Sequence, residues 1–235
     1  MNTLPKLEIT KYELQVPSTG EFVEYRPFLV KEEKILMIAQ EANDPKAVIK
    51  ALKDIISACT FNKLSPNTLT SYDMEYIFLQ LRMKSVGETA QIMLKCEECG
   101  LENEVNVDLS KATIEYPKEK VDPKIELTDS VGLVLKSLTV KDLEKLENSG
   151  DNISDVIALA IESIYDGDNV FLAKDSSKKE LVEFVDSLEH KHLEAIQAYI
   201  TNQPKLVIEV EFTCVDPKCK HLNKIKLEGI QNFFT

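Results

Sequence analysis

The feature that most constrains this chain is a pair of cysteine turns far apart in sequence. Cys96-Glu-Glu-Cys99-Gly100 interrupts an alternating apolar pattern, with Ala90, Ile92 and Leu94 before it and Val105, Val107 and Leu109 after it. Alternation of period two marks a half-buried strand, so the segment reads as a hairpin with two cysteines at its tip. The arrangement recurs near the C-terminus. Leu206, Ile208, Val210 and Phe212 alternate, Cys214 and Cys219 interrupt, and Ile225 and Leu227 resume the pattern. Strand, cysteine pair and strand therefore form a weak internal repeat at 89–109 and 206–228.

Zinc prefers four thiolate or imidazole ligands in a tetrahedron, and a cysteine pair on a tight turn supplies two of them at a suitable bite. Two such turns facing each other complete the shell, which makes Cys96, Cys99, Cys214 and Cys219 candidate ligands of a closed, structural zinc site. Gly100 follows Cys99 and is free to take positive φ, which turns backbone N–H groups toward the sulfurs. The second turn departs from this pattern: its spacing is C-x-x-x-x-C, and Lys220 stands where glycine is expected. It reads as the looser turn, with His221 as a substitute ligand if Cys219 points away. Lys95, Lys218, Lys220 and Lys224 lie near in sequence and would offset the charge of a tetrathiolate. The alternative is that Cys96 and Cys99 form a redox dithiol, an account that leaves the second pair without a role. Cys59 falls on the apolar face of a helix and reads as a small buried hydrophobe.

Between and before the cysteine turns the signals are mostly helical. A hairpin is expected within residues 7–30, turning at Ser18-Thr19-Gly20. Asp44-Pro45 opens a helix carrying Val48, Leu52, Ile55 and Ile56, and Thr70-x-x-Asp73 caps a second that ends near Gly87. Residues 115–124 read as a connecting segment and 125–136 as a hairpin turning at Thr128-Asp129-Ser130. Thr139-x-x-Asp142 opens a short helix. Ile153, Val156, Ile157, Ala160 and Ile164 mark a longer one, and Ser177-x-x-Glu180 caps another. Leu193, Ile196 and Ile200 keep the helical rhythm until Pro204 stops it. The expected fold is α+β: helices plus β-hairpins, with the two cysteine hairpins forming a zinc-ribbon-like module around an inserted helical region. The expected division is 1–86 as N-terminal hairpin and helices, 87–110 plus 204–235 as the zinc-binding hairpin module, and 111–203 as an inserted, mainly helical region.

Composition narrows the function. A formal net charge of −12 opposes nucleic-acid binding, which needs clustered Lys and Arg. No apolar run approaches a membrane span or a signal peptide, so a reducing cytosol is the expected compartment and disulfides are not expected. No phosphate-binding loop, dinucleotide fingerprint or nucleophile elbow is present, and the three histidines support no catalytic triad. His190 and His192, two residues apart, read as a solvated surface, and Asp166-Gly-Asp168-Asn169 as a polar loop without the calcium-loop register. An enzyme acting on a small-molecule substrate is therefore not expected. Only Arg26 and Arg82 among 28 basic residues are arginine; lysine-biased codon usage accounts for this, or each arginine makes a forked contact that lysine cannot. Phe233 and Phe234 near the C-terminus either fold back on the second cysteine hairpin or dock into a partner.

Several segments carry a resemblance. They are Tyr12-Glu-Leu-Gln-Val-Pro-Ser-Thr-Gly20, Tyr25-Arg-Pro-Phe-Leu-Val-Lys-Glu-Glu-Lys-Ile35 and Leu79-Gln-Leu-Arg-Met-Lys-Ser-Val-Gly-Glu88, with the Cys96/Cys99 turn and the Gly229-Ile-Gln-Asn-Phe-Phe234 ending. In their order along the chain they resemble the baseplate hub protein family of T4-like contractile-tailed phages. The likeness covers the first hundred residues and the last thirty; residues 110–203 match only in general character. It implies a non-enzymatic structural or assembly component of the baseplate hub, made in the host cytoplasm, with other baseplate or tail proteins as partners and the virion tail as a destination. It also marks Arg82, together with Phe233 and Phe234, as a candidate partner contact. The competing readings are a zinc-containing nucleic-acid-binding regulatory module and a dithiol redox protein.

Overall fold

The computed structural model describes residues 7–42, 44–118, 121–147 and 152–229. The chain is α+β, and its contacts divide it into two compact units: the chain up to Glu115 together with the chain from Lys205, and Tyr116–Pro204.

The first unit opens with an antiparallel hairpin, β1 (Tyr12–Gln15) and β2 (Phe22–Tyr25), turning through Gly20. Three helices follow: α1 (Val30–Glu41), α2 (Pro45–Cys59) and α3 (Ser71–Ser85). Their starts follow from local chemistry. Asp44 accepts a hydrogen bond from the Lys46 N–H at 3.0 Å, with Pro45 in the first turn, and Thr70 and Asp73 form the reciprocal capping box that the sequence signals. Asp73 also accepts from the Ser18 N–H at 2.8 Å, which fastens the hairpin turn to α3. The α1 helix carries no strong sequence pattern, because Glu32 and Ala39 are its buried residues while Val30, Met37 and Ile38 face outward.

The chain then forms β3 (Thr89–Lys95), β4 (Glu102–Asp108) and the short β5 (Thr113–Glu115). It passes through the second unit and returns. That unit contains β6 (Lys124–Glu126), β7 (Val131–Leu135), α4 (Val140–Glu147), α5 (Ile153–Ala160), β8 (Ile161–Asp166), β9 (Asn169–Leu172), α6 (Lys178–Asp186) and α7 (His190–Thr201). Its strands make an antiparallel sheet in the order β6-β7-β8-β9, so the inserted region holds a sheet as well as the expected helices. The helix expected from Ile153 through Ile164 stops at Ala160. From Ile161 the chain alternates buried Ile161 and Ser163 with outward residues and pairs with β7. The i, i+3 spacing of Ile161 and Ile164 suits a helix and puts the two on opposite faces of a strand, so the strand comes from pairing with β7 and from the Asp166-Gly167-Asp168 turn that reverses the chain into β9. His192, expected on the surface, is buried, whereas His190 is exposed.

On its return the chain forms β10 (Lys205–Thr213) and β11 (Leu222–Glu228). Lys205 and Glu115 are register partners in the β5–β10 ladder, so the second unit leaves and re-enters the first at adjacent points. The β3–β4 hairpin and the β10–β11 hairpin share one core. Ala90, Ile92, Leu94, Val105 and Val107 meet Leu206, Ile208, Val210 and Leu227, with Leu79 and Met83 of α3 against them. Each fully buried aliphatic side chain contributes about 1.5–3 kcal/mol, so this cluster aligns the two hairpins and brings their tips to the same end.

Candidate metal centre

Each cysteine pair occupies the connection of its hairpin. In the first, the Cys96 N–H donates to Leu101 O and the Gly100 N–H to Cys96 O, both at 2.9 Å, and Gly100 takes φ +72°. In the second, the Cys214 N–H donates to His221 O at 2.9 Å. The two extra residues are absorbed by a turn at Asp216, whose carbonyl accepts from the Cys219 and Lys220 N–H groups at 3.1 and 3.0 Å. Lys220 takes φ +48°. The second turn, expected to be looser, thus closes with the left-handed residue that glycine supplies in the first.

The four sulfurs lie within 4.8 Å of one another. Cys96 Sγ is 3.8 Å from Cys219 Sγ, and Cys99 Sγ is 3.6 Å from Cys214 Sγ. A tetrahedron with metal–sulfur bonds of about 2.3 Å has sulfur–sulfur edges of about 3.8 Å. The donor set therefore fits a four-coordinate thiophilic ion, and the four cysteines could hold a metal ion. Cys96 and Cys214 are buried, Cys219 is half-buried and Cys99 is exposed.

The turns also set the acidities. Backbone N–H groups of Cys99 and Glu98, together with the Asn223 amide, outweigh burial and hold the Cys96 thiol down to about 6. Cys219 goes the other way. The His221 N–H favours its thiolate, but burial and the neighbouring sulfurs push it up to about 12. Cys214 is likewise raised: the Asp216 N–H lowers it, and burial with the sulfurs of Cys99 and Cys96 more than offsets that. One thiolate is accommodated readily and further ones oppose each other, the condition that a divalent cation relieves. Cys59 is fully buried outside the cluster, its thiol pushed up to about 11 by desolvation, as befits a core residue.

Two residues at this site carry no cysteine signal. Asn103 and Asn223 are 1% and 0% exposed. Each stands four residues after the second cysteine of its hairpin, a C-x-x-x-N spacing common to both turns that could have been found in the sequence. Asn103 Oδ1 accepts from the Val215 N–H at 2.8 Å, and Asn223 Oδ1 accepts from the Glu97 N–H at 2.8 Å.

The remaining candidates lie elsewhere. Arg82 is 7% exposed, and its guanidinium donates to Gly87 O at 3.1 Å and Thr89 O at 3.4 Å, across the link from α3 to β3. Arg26 is also buried and donates to Pro27 O and to Glu32 Oε1, at 2.9 and 2.8 Å. Arg26 thus donates from both terminal nitrogens, a fork that lysine cannot present, whereas both of these Arg82 bonds leave Nη1. Lys224, expected near the thiolates, pairs with Glu211 at 2.6 Å on the neighbouring strand. His221 contributes its carbonyl to the turn, and its ring is not among the ligand atoms brought together. Phe233 and Phe234 lie outside the described residues. Among the described residues no helix is long and apolar enough to cross a membrane.

Fold and site together define a two-unit α+β protein in which an insertion separates two hairpins that meet at a four-cysteine cluster. The chain matches, over residues 9–235, the family described as T4 bacteriophage base plate protein, and it belongs to that family. It is accordingly a structural component of a phage tail baseplate, a setting in which it meets other tail proteins. Searches of curated proteins and of solved structures returned no match.

Proposed function

We propose that this protein is a non-catalytic building or assembly component of the baseplate hub whose first unit is clamped by a structural zinc ion on Cys96, Cys99, Cys214 and Cys219. The observation that carries the metal reading is the convergence of four sulfurs at tetrahedral spacing from two hairpins separated by an entire inserted unit. Zinc, when bound, supplies a charge that holds four thiolates together. The chain's own residues do the rest: the two turns present the sulfurs, the shared apolar core orients the hairpins, and the entry and exit of the inserted unit are tied to the same sheet. The hub assignment rests on the likeness of the segments around 12–20, 25–35 and 79–88. In this fold they form the N-terminal hairpin, its run into α1, and the end of α3 leading into β3. Synthesis in the host cytoplasm and incorporation into the tail follow from that role.

The geometry speaks against a redox dithiol. A redox account uses Cys96 and Cys99 alone, whereas all four sulfurs converge here, with Cys219 and Cys214 each against one of that pair. The reading is tested by metal analysis of the purified protein with identification of the tail proteins that co-purify. One zinc per chain and capture by hub proteins are expected. Absence of bound metal would overturn the zinc clamp, and absence of the chain from both tails and tail intermediates in electron micrographs would overturn the hub role. Thiols that titrate freely before any chelator is added would favour the redox reading instead.

A further inference from the structure

A buried amide is costly unless its donors and acceptors are satisfied, and an apolar side chain would fill either asparagine position at less cost. The bonds that Asn103 and Asn223 make explain what the amides do there. Asn103 Nδ2 donates to Leu101 O at 2.7 Å, the same carbonyl that accepts the Cys96 N–H. Asn223 Nδ2 donates to His221 O at 3.2 Å, the same carbonyl that accepts the Cys214 N–H. Each amide is thus anchored to the base of its own cysteine turn. Each Oδ1 then crosses to the other hairpin and takes the N–H of the residue that follows a cysteine: Val215 after Cys214, and Glu97 after Cys96. The two sets of bonds correspond one to one, a reciprocal symmetry of pattern between the hairpins. The symmetry is broken at one point, where Asn223 Nδ2 also donates to Cys96 Sγ at 3.6 Å.

We propose that Asn103 and Asn223 are positioning residues for the four-cysteine site, cross-bracing the two hairpins so that the sulfurs converge before a metal ion arrives. The proposal rests on the metal-binding reading above. It adds that this site is preorganised, in contrast to small zinc modules whose ligands assemble only as the metal binds. The apolar core brings the hairpins alongside each other, but packing alone tolerates small sliding. Two hydrogen bonds placed next to Cys96 and Cys214 remove that freedom where the ligand geometry needs it removed.

The test uses the full-length protein stripped of metal and titrated with Co²⁺, whose visible absorption reports a four-sulfur site, followed by competition with Zn²⁺. Asn103→Ala and Asn223→Ala should each weaken metal binding by about 10- to 100-fold, the range found for groups that orient metal ligands. Asn223→Ala should show the larger loss, because it also removes the bond to Cys96 Sγ. Ile56→Val, in α2 and outside the core that the two hairpins share, is the comparison: it should lower thermal stability while leaving metal affinity unchanged. Asparagine variants that melt lower but bind metal as tightly as the unsubstituted protein would overturn the proposal, leaving the amides as core residues. If those variants do not fold, amide hydrogen exchange on the metal-free unsubstituted protein decides. Slow exchange at Glu97 and Val215 supports preorganisation, and exchange there as fast as in an open loop overturns it. Failure of the metal reading itself is seen separately, as an unsubstituted protein that takes up neither Co²⁺ nor Zn²⁺.

Discussion

Lys220 holds the same left-handed backbone conformation as Gly100, with φ of +48° against +72°, and each is the residue directly after the second cysteine of its turn. The two turns differ in length and in sequence, yet both close through this conformation. It puts the β-carbon of an L-residue too near the following carbonyl, at a cost of about 1 kcal/mol or somewhat more. Replacing Lys220 by Gly should therefore stabilise the protein by about 1 kcal/mol. Gly100→Ala should destabilise it by a similar amount, and by no more, because an added β-carbon there meets nothing within 4 Å. Denaturant melts of the metal-loaded variants measure both changes. A Lys220→Gly variant that melts lower would show that the lysine side chain contributes more than its backbone costs.

Cys96→Ser or Cys214→Ser removes one of four ligands, so metal content should fall well below one per chain and thermal stability should fall with it. Cys59→Ala should keep full metal content, since its sulfur is fully buried outside the cluster. Chelation of the unsubstituted protein should cost about 4 kcal/mol relative to free metal at about a thousandfold above its dissociation constant. Metal analysis alongside calorimetric melts distinguishes the three cases. Unchanged metal content in Cys96→Ser or Cys214→Ser would contradict the ligand assignment.

Glu32 joins three parts of the N-terminal region. Its Oε1 accepts from Arg26 Nη2 and its Oε2 from the Leu29 N–H, both at 2.8 Å, while the Arg26 N–H donates to Cys59 O at 3.0 Å. Burial opposes ionisation of this carboxyl, but the Arg26 guanidinium and the Leu29 N–H hold it below the ordinary value of 4.5. A carboxylate depressed on folding stabilises the protein above its unfolded pKa, and that contribution disappears as pH falls through the folded value. The pair should therefore act fully above about pH 4.5 and fade below it. Glu32→Gln should cost about 3 kcal/mol at neutral pH, as removal of one partner from a buried pair does, and should flatten the fall of melting temperature with acid. Melting curves from pH 7 to pH 3 on both proteins supply the measurement; equal acid sensitivity would assign the effect to other carboxylates.

Gly132 in β7 is fitted closely to its surroundings. A β-carbon added there would run into the Tyr165 ring and come within 2.7 Å of Ile125 O. Backbone on one side and a ring on the other leave little room to yield, so Gly132→Ala should destabilise the second unit by about 1–3 kcal/mol. The Tyr165 hydroxyl is buried without a hydrogen-bond partner among the described residues. Tyr165→Phe removes that unsatisfied group and should be neutral or stabilising by up to about 1 kcal/mol. Thermal melts of the two variants test the pair of statements, and a strongly destabilised Tyr165→Phe would show that the hydroxyl has a partner.

Much of this fold was legible where local chemistry is decisive. The caps at Asp44, Thr70, Thr139 and Ser177 start helices where the sequence signals them, because a side chain three residues or fewer from its backbone partner needs no tertiary support. The strands around both cysteine pairs follow from alternation alone. Helix α1 was not legible, since its outward Val30, Met37 and Ile38 blur the amphipathic pattern. The end of α5 was not legible either, since the i, i+3 spacing of Ile161 and Ile164 continues the helical rhythm and only pairing with β7 makes the segment a strand.

By itself the sequence determined that four cysteines stand on two strand-flanked turns and that the segments at 12–20, 25–35 and 79–88 mark a phage baseplate relative. These are local patterns of spacing and residue type. Tertiary structure alone decided that Cys96 faces Cys219 and Cys99 faces Cys214, that two buried asparagines brace the turns, and that a lysine could stand in for a glycine. The reason is physical: each of these depends on atoms more than a hundred residues apart being brought together by a shared apolar core, or on a backbone strain that only the closed turn repays, and neither is written in any short stretch of sequence.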